Sequence, residues 1–387
     1  MKEELIKGFK ERFNEEPDYL FDAGGRFEII GNHTDHNHGL CLVANCSLRI
    51  YAAVKKDISE VGIKSKGYPY FSFRLEEVKK LRNFPPSTKA LTYGIYKKFM
   101  ELGYKIGGFK AYIVSEIPDG SGVSSSAAIE SLIGYILSYL FNDGKVDPLL
   151  IAKIGQFSEN NYFKKPCGLL DQIGTSFPNC NFIDFKDINK PVISTIDFNL
   201  PLQLYLIKSV GNHSNLTPLY AKIPQSMKEI AMNLENKQFL RDCNDKDIID
   251  RIDNLNLDED VKNIGKHFFI ENENVLRAKK AIEINDLDLF LRTIKDSQNS
   301  SKNNLCNTFV KDDSYLDSPQ DIIDKVQNYI GNNGAIRIHG GGFKGTVLAF
   351  IKNDFVTEFE SFLNKNYKNR YYKVYISKNA INIEKLM

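Results

Sequence analysis

The stretch PDGSGVSSSAA, residues 118–128, separates two patterns of different periodicity. Before it, residues 108–117 have the β-branched and aromatic composition of a strand. After it, apolar residues recur every three or four positions from Ile129 to Leu140, which predicts a helix that starts near Ser125. The glycines let a ligand approach the backbone, and the first helical turn directs unpaired N–H groups toward it. We therefore predict an anion site in this stretch, which we call the serine loop.

The serine loop also has three consecutive hydroxyls, Ser124 to Ser126. They can donate to phosphate oxygens, and one of them could ligate Mg²⁺. A serine-capped helix after a glycine-rich turn is the plainer interpretation of the same residues. The loop has no Gly-Lys-Ser or Gly-Lys-Thr, so it is not a Walker loop. Ser125 stands where a Rossmann fingerprint needs a third glycine.

The composition is that of an ordinary globular chain. Hydrophobic residues make up 42% of the 387 positions and charged residues 26%, which excludes a disordered or collagen-like protein. The 51 basic side chains nearly balance the 49 acidic ones, so the chain lacks the basic field of a dedicated nucleic-acid or membrane-surface binder. We expect small-molecule partners, with no nucleic acid, no membrane and no obligate protein partner.

Length and cysteine usage bear on organisation and location. The chain is about 2.6 times the ~150 residues typical of one domain, and Asn, Lys and Asp become more frequent after about residue 197. We therefore predict two domains, residues 1–197 and 198–387. The six cysteines contain no CxxC pair and the N-terminus has no apolar signal segment, so we expect a cytoplasmic protein.

Two other segments are unusually polar or glycine-rich. GNHTDHNHG, residues 31–39, follows an apolar strand, and its side chains suit sugar hydroxyls; we call it the polar turn. Its three histidines and Asp35 also allow a metal site, although HExxH spacing and paired cysteines are absent, and a solvated turn is a further interpretation. IRIHGGGFKGTV, residues 336–347, predicts two strands around a glycine-rich turn, which by itself is compatible with a plain hairpin.

These segments occur in the order and approximate spacing of the GHMP kinase superfamily, and in detail they resemble the galactokinases. Residues 24–39 resemble the signature GR(V)NLIGEHTDYNGG, and the serine loop is similar to PxGxGLSSSA. The glycine-rich turn resembles the family's GGGFGG loop. QFSEN at 156–160 and CGLLDQ at 167–172 resemble the family's A-E-N and C-G-I-M-D-Q. The four matches span nearly the whole chain.

The resemblance implies an α+β, two-domain GHMP kinase fold. Its N-terminal domain is like ribosomal protein S5 domain 2 and its C-terminal domain is ferredoxin-like, with ATP and sugar meeting in the cleft between them. Residues 1–197 would contain the sugar signature and the phosphate loop, and residues 198–387 the glycine-rich loop. The implied activity is that of an ATP-dependent sugar 1-kinase, which makes galactose 1-phosphate and ADP with Mg²⁺ as cofactor.

The resemblance also assigns roles to particular residues. Asp171 matches the catalytic Asp, and Arg26 matches the Arg beside the anomeric hydroxyl; a structural ion pair is the alternative for these two. An Arg within ~4–6 Å lowers the pKa of an Asp by ~1–3 units, so we expect Asp171 to be ionised. Ser126 and Glu159 match the Mg²⁺ ligands. The expected sugar contacts are Asn32, His33, Asp35, Gly168 and Tyr220. The expected ATP-binding residues are Gly120, Ser121, Gly122, Val123, Ser124, Ser125, Ser126 and Ala127.

Departures from the family pattern bear on the sugar. Asn32 stands where the family has the Glu that faces the C6 hydroxyl, Glu28 replaces an Asn, and His36 replaces a Tyr. A neutral amide removes repulsion against an anionic C6 group, so galacturonokinase is the alternative to galactokinase. A non-enzymatic sugar sensor on the same fold is the alternative of another class. Such relatives have a damaged serine loop, whereas residues 122–128 are intact, which favours an enzyme.

Overall fold

A computed structural model of the protein describes residues 1–80, 84–118, 120–210, 216–310 and 313–386. Asp119 of the serine loop lies outside these ranges. His213, which stands seven positions before Tyr220 as in the family pattern, also lies outside them. The described residues form two β-sheets with helices packed against them, which confirms the α+β class. In these ranges we find no helix that combines the length and the apolar character needed to cross a membrane.

The strands and helices come in runs along the chain. The strands are β1 (Tyr19–Ile30), β2 (Leu40–Asp57), β3 (Glu60–Ser65), β4 (Phe71–Arg74), β5 (Gly108–Ser115), β6 (Cys180–Asp184), β7 (Val192–Ile196), β8 (Leu202–Lys208), β9 (Gly334–His339), β10 (Thr346–Lys352), β11 (Tyr371–Val374) and β12 (Ile381–Lys385). The helices are α1 (Lys2–Phe13), α2 (Leu75–Val78), α3 (Thr88–Glu101), α4 (Ser125–Phe141), α5 (Pro148–Ser158), α6 (Leu170–Ser176), α7 (Thr217–Glu235), α8 (Ile248–Asp253), α9 (Glu259–Glu283), α10 (Leu287–Ser300), α11 (Pro319–Ile330) and α12 (Val356–Asn366).

The first sheet has eight strands. Its main path is β12-β1-β2-β5-β3-β4, and β6 pairs with β2 and β7 on a side branch. β1 and β2 are long antiparallel strands, and their apolar residues on one face pack against the apolar side of α4. Burial of these apolar side chains stabilises the contact between the helix and the sheet. This packing places the N-terminus of α4, and with it the serine loop, beside Gly25 and Arg26 of β1.

The second sheet is antiparallel, in the order β11-β8-β10-β9. α11 and α12 pack on one of its faces, where Ile322 and Phe359 meet Ile336 and Val347 of the strands. The turn between β9 and β10 is the glycine-rich segment that the sequence predicts, and both strands lie where the pattern places them.

Helical periodicity in the sequence predicts helices over residues 227–240 and 271–284. The first is displaced toward the N-terminus: α7 covers Thr217–Glu235, contains Pro224, and is ended by Asn236 in a left-handed conformation. The second is longer than predicted, since α9 covers Glu259–Glu283. Its first half contains buried polar side chains, so its apolar pattern is interrupted although the helix continues.

The C-terminal segment returns to the first sheet. β12 pairs antiparallel with β1 over Tyr19–Ala23, so this sheet contains residues from both predicted domains. The division at residues 197/198 stays a prediction. Arg49 of β2 anchors the returning segment: its guanidinium donates to Asp22, to Ser377 Oγ at 3.0 Å, and to the carbonyl oxygen of Ala380 at 3.0 Å.

We expect Arg49→Met to lower the free energy of unfolding by about 2–4 kcal/mol, because Asp22 and the carbonyl oxygens of Asn379 and Ala380 each lose a charged donor. Urea denaturation measures the change. Arg74→Met removes an exposed ion pair to Glu76 and is the matched control, with an expected change below about 0.5 kcal/mol. Equal effects of the two substitutions would show that Arg49 does not anchor this segment.

Candidate active site

Arg26 joins three of the sequence motifs. It lies on β1 with 6% of its surface exposed, and its Nε and Nη2 atoms are each 2.8 Å from Asp171 Oδ1. Its Nη1 donates to the carbonyl oxygen of Gly122, and its backbone N–H donates to Val123 O at 3.0 Å. The strand, the serine loop and the first turn of α6 therefore meet at one guanidinium, as the predicted pairing of Arg26 with Asp171 requires.

Asp171 is held between two donors. Ser124 Oγ donates to its Oδ2, while Arg26 occupies its Oδ1. Burial raises the pKa of Asp171, but Arg26 and Ser124 together lower it by more, so the net pKa lies below the usual range and the carboxylate is ionised at neutral pH. Gly174, one turn later on α6, allows this approach, because a Cβ there would lie 2.7 Å from Arg26 Cβ.

The serine loop rests on the second sheet. Thr346 Oγ1 donates to the carbonyl oxygen of Ser121 at 3.0 Å. Gly122 has φ +72°, and a Cβ there would lie 2.6 Å from the same Thr346 oxygen, so both conformation and space require glycine. Val123 and Ala127 are buried, and α4 begins at Ser125, as the sequence predicts. The amides of the first turn of α4 are thus available beside Arg26 and Asp171.

A second carboxylate, Glu159, lies beside the serine loop. Ser126 Oγ donates to Glu159 Oε1 at 3.1 Å, and Gln172 Nε2 donates to Glu159 Oε2 at 2.8 Å. Lys165 Nζ is 3.0 Å from Oε1, the same oxygen that Ser126 binds. The structure therefore brings together the two residues expected to bind Mg²⁺, and it adds a lysine that the sequence analysis missed.

The polar turn contributes Asp35 to the same region. A Cβ at Gly168 would overlap Asp35 Oδ2, so only glycine at this position lets the two segments approach so closely. His36 Nε2 lies 3.7 Å from Asp35 Oδ1. The transition-metal interpretation of the polar turn finds no support: in the described part of the chain, no group of three or more His, Cys, Asp or Glu side chains is placed to hold a metal ion.

His33 and Tyr220 both contact the glycine-rich turn. Burial lowers the pKa of His33 to about 3, so the ring is neutral, and its Nε2 donates to Gly341 O at 2.9 Å. The other ring nitrogen, Nδ1, is buried and has no hydrogen-bond partner among the described residues. Tyr220 donates to Gly342 O at 3.1 Å. An unpaired buried acceptor is costly without a ligand, so His33 is suited to bind a hydroxyl.

Asn32 does not have the environment expected of a sugar contact. Its amide donates to Glu28 Oε1 at 2.9 Å and to Gly340 O at 2.6 Å, and its oxygen accepts from Asn307 Nδ2 at 2.6 Å. The residue is 1% exposed. Each polar atom of the side chain therefore has a protein partner, and in this structure Asn32 connects the polar turn to the glycine-rich turn. The expected contact between Asn32 and the sugar C6 group stays a prediction.

The buried charges around Asn32 escaped the sequence analysis. Glu28 lies 3.2 Å from the fully buried Arg337, and Glu271 Oε1 accepts from the backbone N–H of Gly31 at 3.0 Å and of Asn32 at 3.2 Å. Burial raises the pKa of Glu28, and Arg337 offsets this only in part. Burial also raises the pKa of Glu271, but His267 and Arg337 lower it by more, so its net pKa lies below the usual range.

A signal for this network was present in the sequence. His267, Glu271 and Asn274 recur at spacings of four and three, which places polar side chains on one face of a helix. All three are buried on α9, and His267 Nε2 lies 2.9 Å from the carbonyl oxygen of Asn32. A polar stripe at helical spacing therefore marked the face of α9 that holds the polar turn.

Comparison with known proteins agrees with this geometry. The galactokinase galactose-binding signature matches residues 7–56, and the GHMP kinase N-terminal domain matches residues 90–178. A galactokinase of Streptococcus thermophilus is 28% identical over 380 residues, which cover 94% of this chain and 93% of that protein. A galactokinase of Lactobacillus helveticus is 29% identical and covers 95% of this chain and 94% of its own length.

Solved structures show the same fold. The Lactococcus lactis galactokinase in complex with galactose superposes with a TM-score of 0.83, covers all of both chains and is 23% identical. The mevalonate kinase of Methanococcus jannaschii superposes with a TM-score of 0.63 at 15% identity, over 92% of this chain and 98% of its own. The chain is therefore similar to the galactokinases in the signature around the polar turn and over most of its length, and similar to the GHMP kinases in the domain around the serine loop.

Proposed function

We propose that the protein is a galactokinase, which transfers the γ-phosphoryl group of ATP to the C1 hydroxyl of α-D-galactose. The products are galactose 1-phosphate and ADP. The main support is Asp171, an ionised carboxylate held between Arg26 and Ser124 at the N-terminal end of α4. The galactokinase relatives support the choice of sugar, since their similarity extends over at least 93% of each chain. An intact serine loop beside that carboxylate favours an enzyme over a sugar sensor.

In the proposed reaction Asp171 accepts the proton of the C1 hydroxyl as the oxygen attacks the γ-phosphorus. Arg26 keeps Asp171 ionised and in place, and it adds positive charge beside the attacking oxygen. The N–H groups of the serine loop bind phosphate oxygens, because the first turn of α4 leaves them without intrahelical acceptors. Positioning and charge neutralisation by these groups supply most of the acceleration.

The sugar would lie against the polar turn. His33 Nδ1 is a buried acceptor that lacks a protein partner among the described residues, and it would accept from a ring hydroxyl. Asp35 is an acceptor next to Gly168, and Tyr220 of α7 lies against the glycine-rich turn that His33 also contacts. These four residues form the proposed sugar site.

Mg²⁺ fits Ser126 and Glu159. Magnesium usually binds one or two protein oxygens together with waters and substrate phosphates, and the hydroxyl and the carboxylate are already 3.1 Å apart. When bound, the ion neutralises charge on the β- and γ-phosphate oxygens. Gln172 donates to the second oxygen of Glu159 and so orients the carboxylate.

The cytoplasm remains the predicted location of the protein.

Galacturonate is the second candidate acceptor, because the chain has the neutral Asn32 where the galactokinase pattern has the Glu expected to face C6. We expect the protein to consume ATP with galactose and to use galacturonate at least about tenfold less well in kcat/KM. A coupled ADP assay with galactose, galacturonate, arabinose and N-acetylgalactosamine measures the preference. A preference for galacturonate would replace the proposed acceptor, and ATP consumption with none of the sugars would contradict the proposal.

Asp171→Asn should lower kcat by about 10²–10⁴-fold while sugar and ATP still bind, because an amide keeps the shape but cannot take a proton. Turnover assays and titration calorimetry measure the two effects separately. Asp184 lies on β6 and forms an ion pair with Arg241. Asp184→Asn removes that carboxylate, is the matched control, and should keep kcat within about twofold. If Asp171→Asn retained more than about a tenth of the wild-type kcat, Asp171 would not be the base.

Asn32→Glu alone should destabilise the protein by about 2–4 kcal/mol, because two carboxylates would then share one buried site beside Arg337. Adding Glu28→Asn should recover at least half of that loss, since the pair again has one carboxylate and one amide. Urea denaturation of the wild type, the two single variants and the double variant measures the coupling. Additive losses would mean that Glu28 and Asn32 do not act as a pair.

A further inference from the structure

Lys165 is a cation next to the proposed phosphate and metal ligands. Its ammonium is 3.0 Å from Glu159 Oε1, and its own backbone N–H donates to the carbonyl oxygen of Glu159 at 3.1 Å. The backbone of Lys165 is thus fixed beside Glu159 by a hydrogen bond independent of the side chain. Ser126 donates to the same carboxylate oxygen.

The ammonium also lies close to the reacting groups. Its positive charge helps to lower the pKa of Asp171 and acts in the same direction on the pKa of Tyr220. The Lys165 side chain carries the positive charge usual for lysine at neutral pH and pairs with the Glu159 carboxylate. The proposed base, the proposed metal ligand and a sugar contact therefore all lie within the field of one ammonium.

The contact with Glu159 is one that the lysine can leave. Glu159 is 2% exposed and keeps hydrogen bonds from Ser126 and Gln172 when Lys165 moves. The Lys165 side chain is 59% exposed, so its four-carbon stem can change rotamer without opening the core. Mg²⁺ held by Ser126 and Glu159 would compete with the ammonium for Glu159 Oε1. The oxygens of a γ-phosphate bound at the serine loop would then be acceptors for Lys165.

We propose that Lys165 is a further catalytic residue, which donates to the oxygens of the transferred γ-phosphoryl group. This inference rests on the proposed function. The C1 oxygen forms the new bond to phosphorus, the bond from phosphorus to the β,γ-bridging oxygen breaks, and ADP leaves with that electron pair. The C1 proton goes to Asp171, and Lys165 keeps its protons while it balances charge on the moving oxygens.

A binding experiment tests the contact without any sugar. Calorimetry compares Mg-ADP with the Mg complex of an imido analogue of ATP, which has a γ-phosphate that is not transferred. Lys165→Met should weaken binding of the analogue by about 10- to 100-fold and leave ADP within about threefold, since the lost donor reaches only the γ-phosphate. Lys165→Arg should recover most of the loss. Lys164→Met removes the same charge from the exposed neighbouring position and should change neither affinity.

Turnover gives the second readout. Lys165→Met should lower kcat with galactose by about 10- to 100-fold and leave the KM for galactose unchanged, while Lys164→Met keeps both. Equal weakening of ADP and the analogue, or unchanged affinity for the analogue, would overturn the inference and leave Lys165 as an ion-pair partner of Glu159. If the wild type uses no sugar, the proposed function fails, and the calorimetric comparison still decides the role of Lys165.

Discussion

The guanidinium of Arg26 is the group on which the rest of the site depends. It binds Asp171 of α6 and the carbonyl oxygen of Gly122, so segments separated by 145 and 96 residues meet at one side chain. A buried cation is costly unless its donors are paired, and here the carboxylate and the loop carbonyl pair them. Moving the strand or the helix would leave a buried charge without its partner, and moving the loop would take the Gly122 acceptor away from the guanidinium. These contacts therefore favour one arrangement of strand, helix and loop.

A second layer of buried polar groups connects the polar turn to the rest of the molecule. Glu271 on α9 holds two backbone N–H groups of the turn, and Arg337 on β9 binds Glu28 of β1. These contacts link residues more than 200 positions apart and use charges that are almost completely removed from water. The proposed sugar site is therefore positioned by hydrogen bonds from α9 and β9, and its geometry depends on the packing of elements from both halves of the chain.

Environment separates the ionisable groups of the site into different protonation states. Asp171 is kept ionised by Arg26 and Ser124, although burial opposes this. His33 is kept neutral by burial, so its proton stays on the nitrogen that binds Gly341 and the other nitrogen remains an acceptor. Glu28, in contrast, has a raised pKa even beside Arg337. The base Asp171, the neutral acceptor His33 and the structural carboxyl Glu28 thus have different protonation states, because each has a different set of neighbours.

The sequence by itself determined the local features of this protein: the helix that starts at Ser125, the strands around the glycine-rich turn, and the motifs that place Arg26 with Asp171 and Ser126 with Glu159. These depend on periodicity, on glycine conformations and on a pattern shared with a family, all of which are visible in a linear chain. The partners of Asn32, the ammonium beside Glu159 and the full length of α9 were decided only by the tertiary structure. Asn32 is bound by Asn307 and Gly340, hundreds of positions away, and α9 stays helical through polar residues because Glu271 finds its partners on the polar turn. The polar stripe on α9 indicates a buried polar face, but no local pattern gives the partners of these long-range hydrogen bonds, since the bonds form only after packing has brought the segments together.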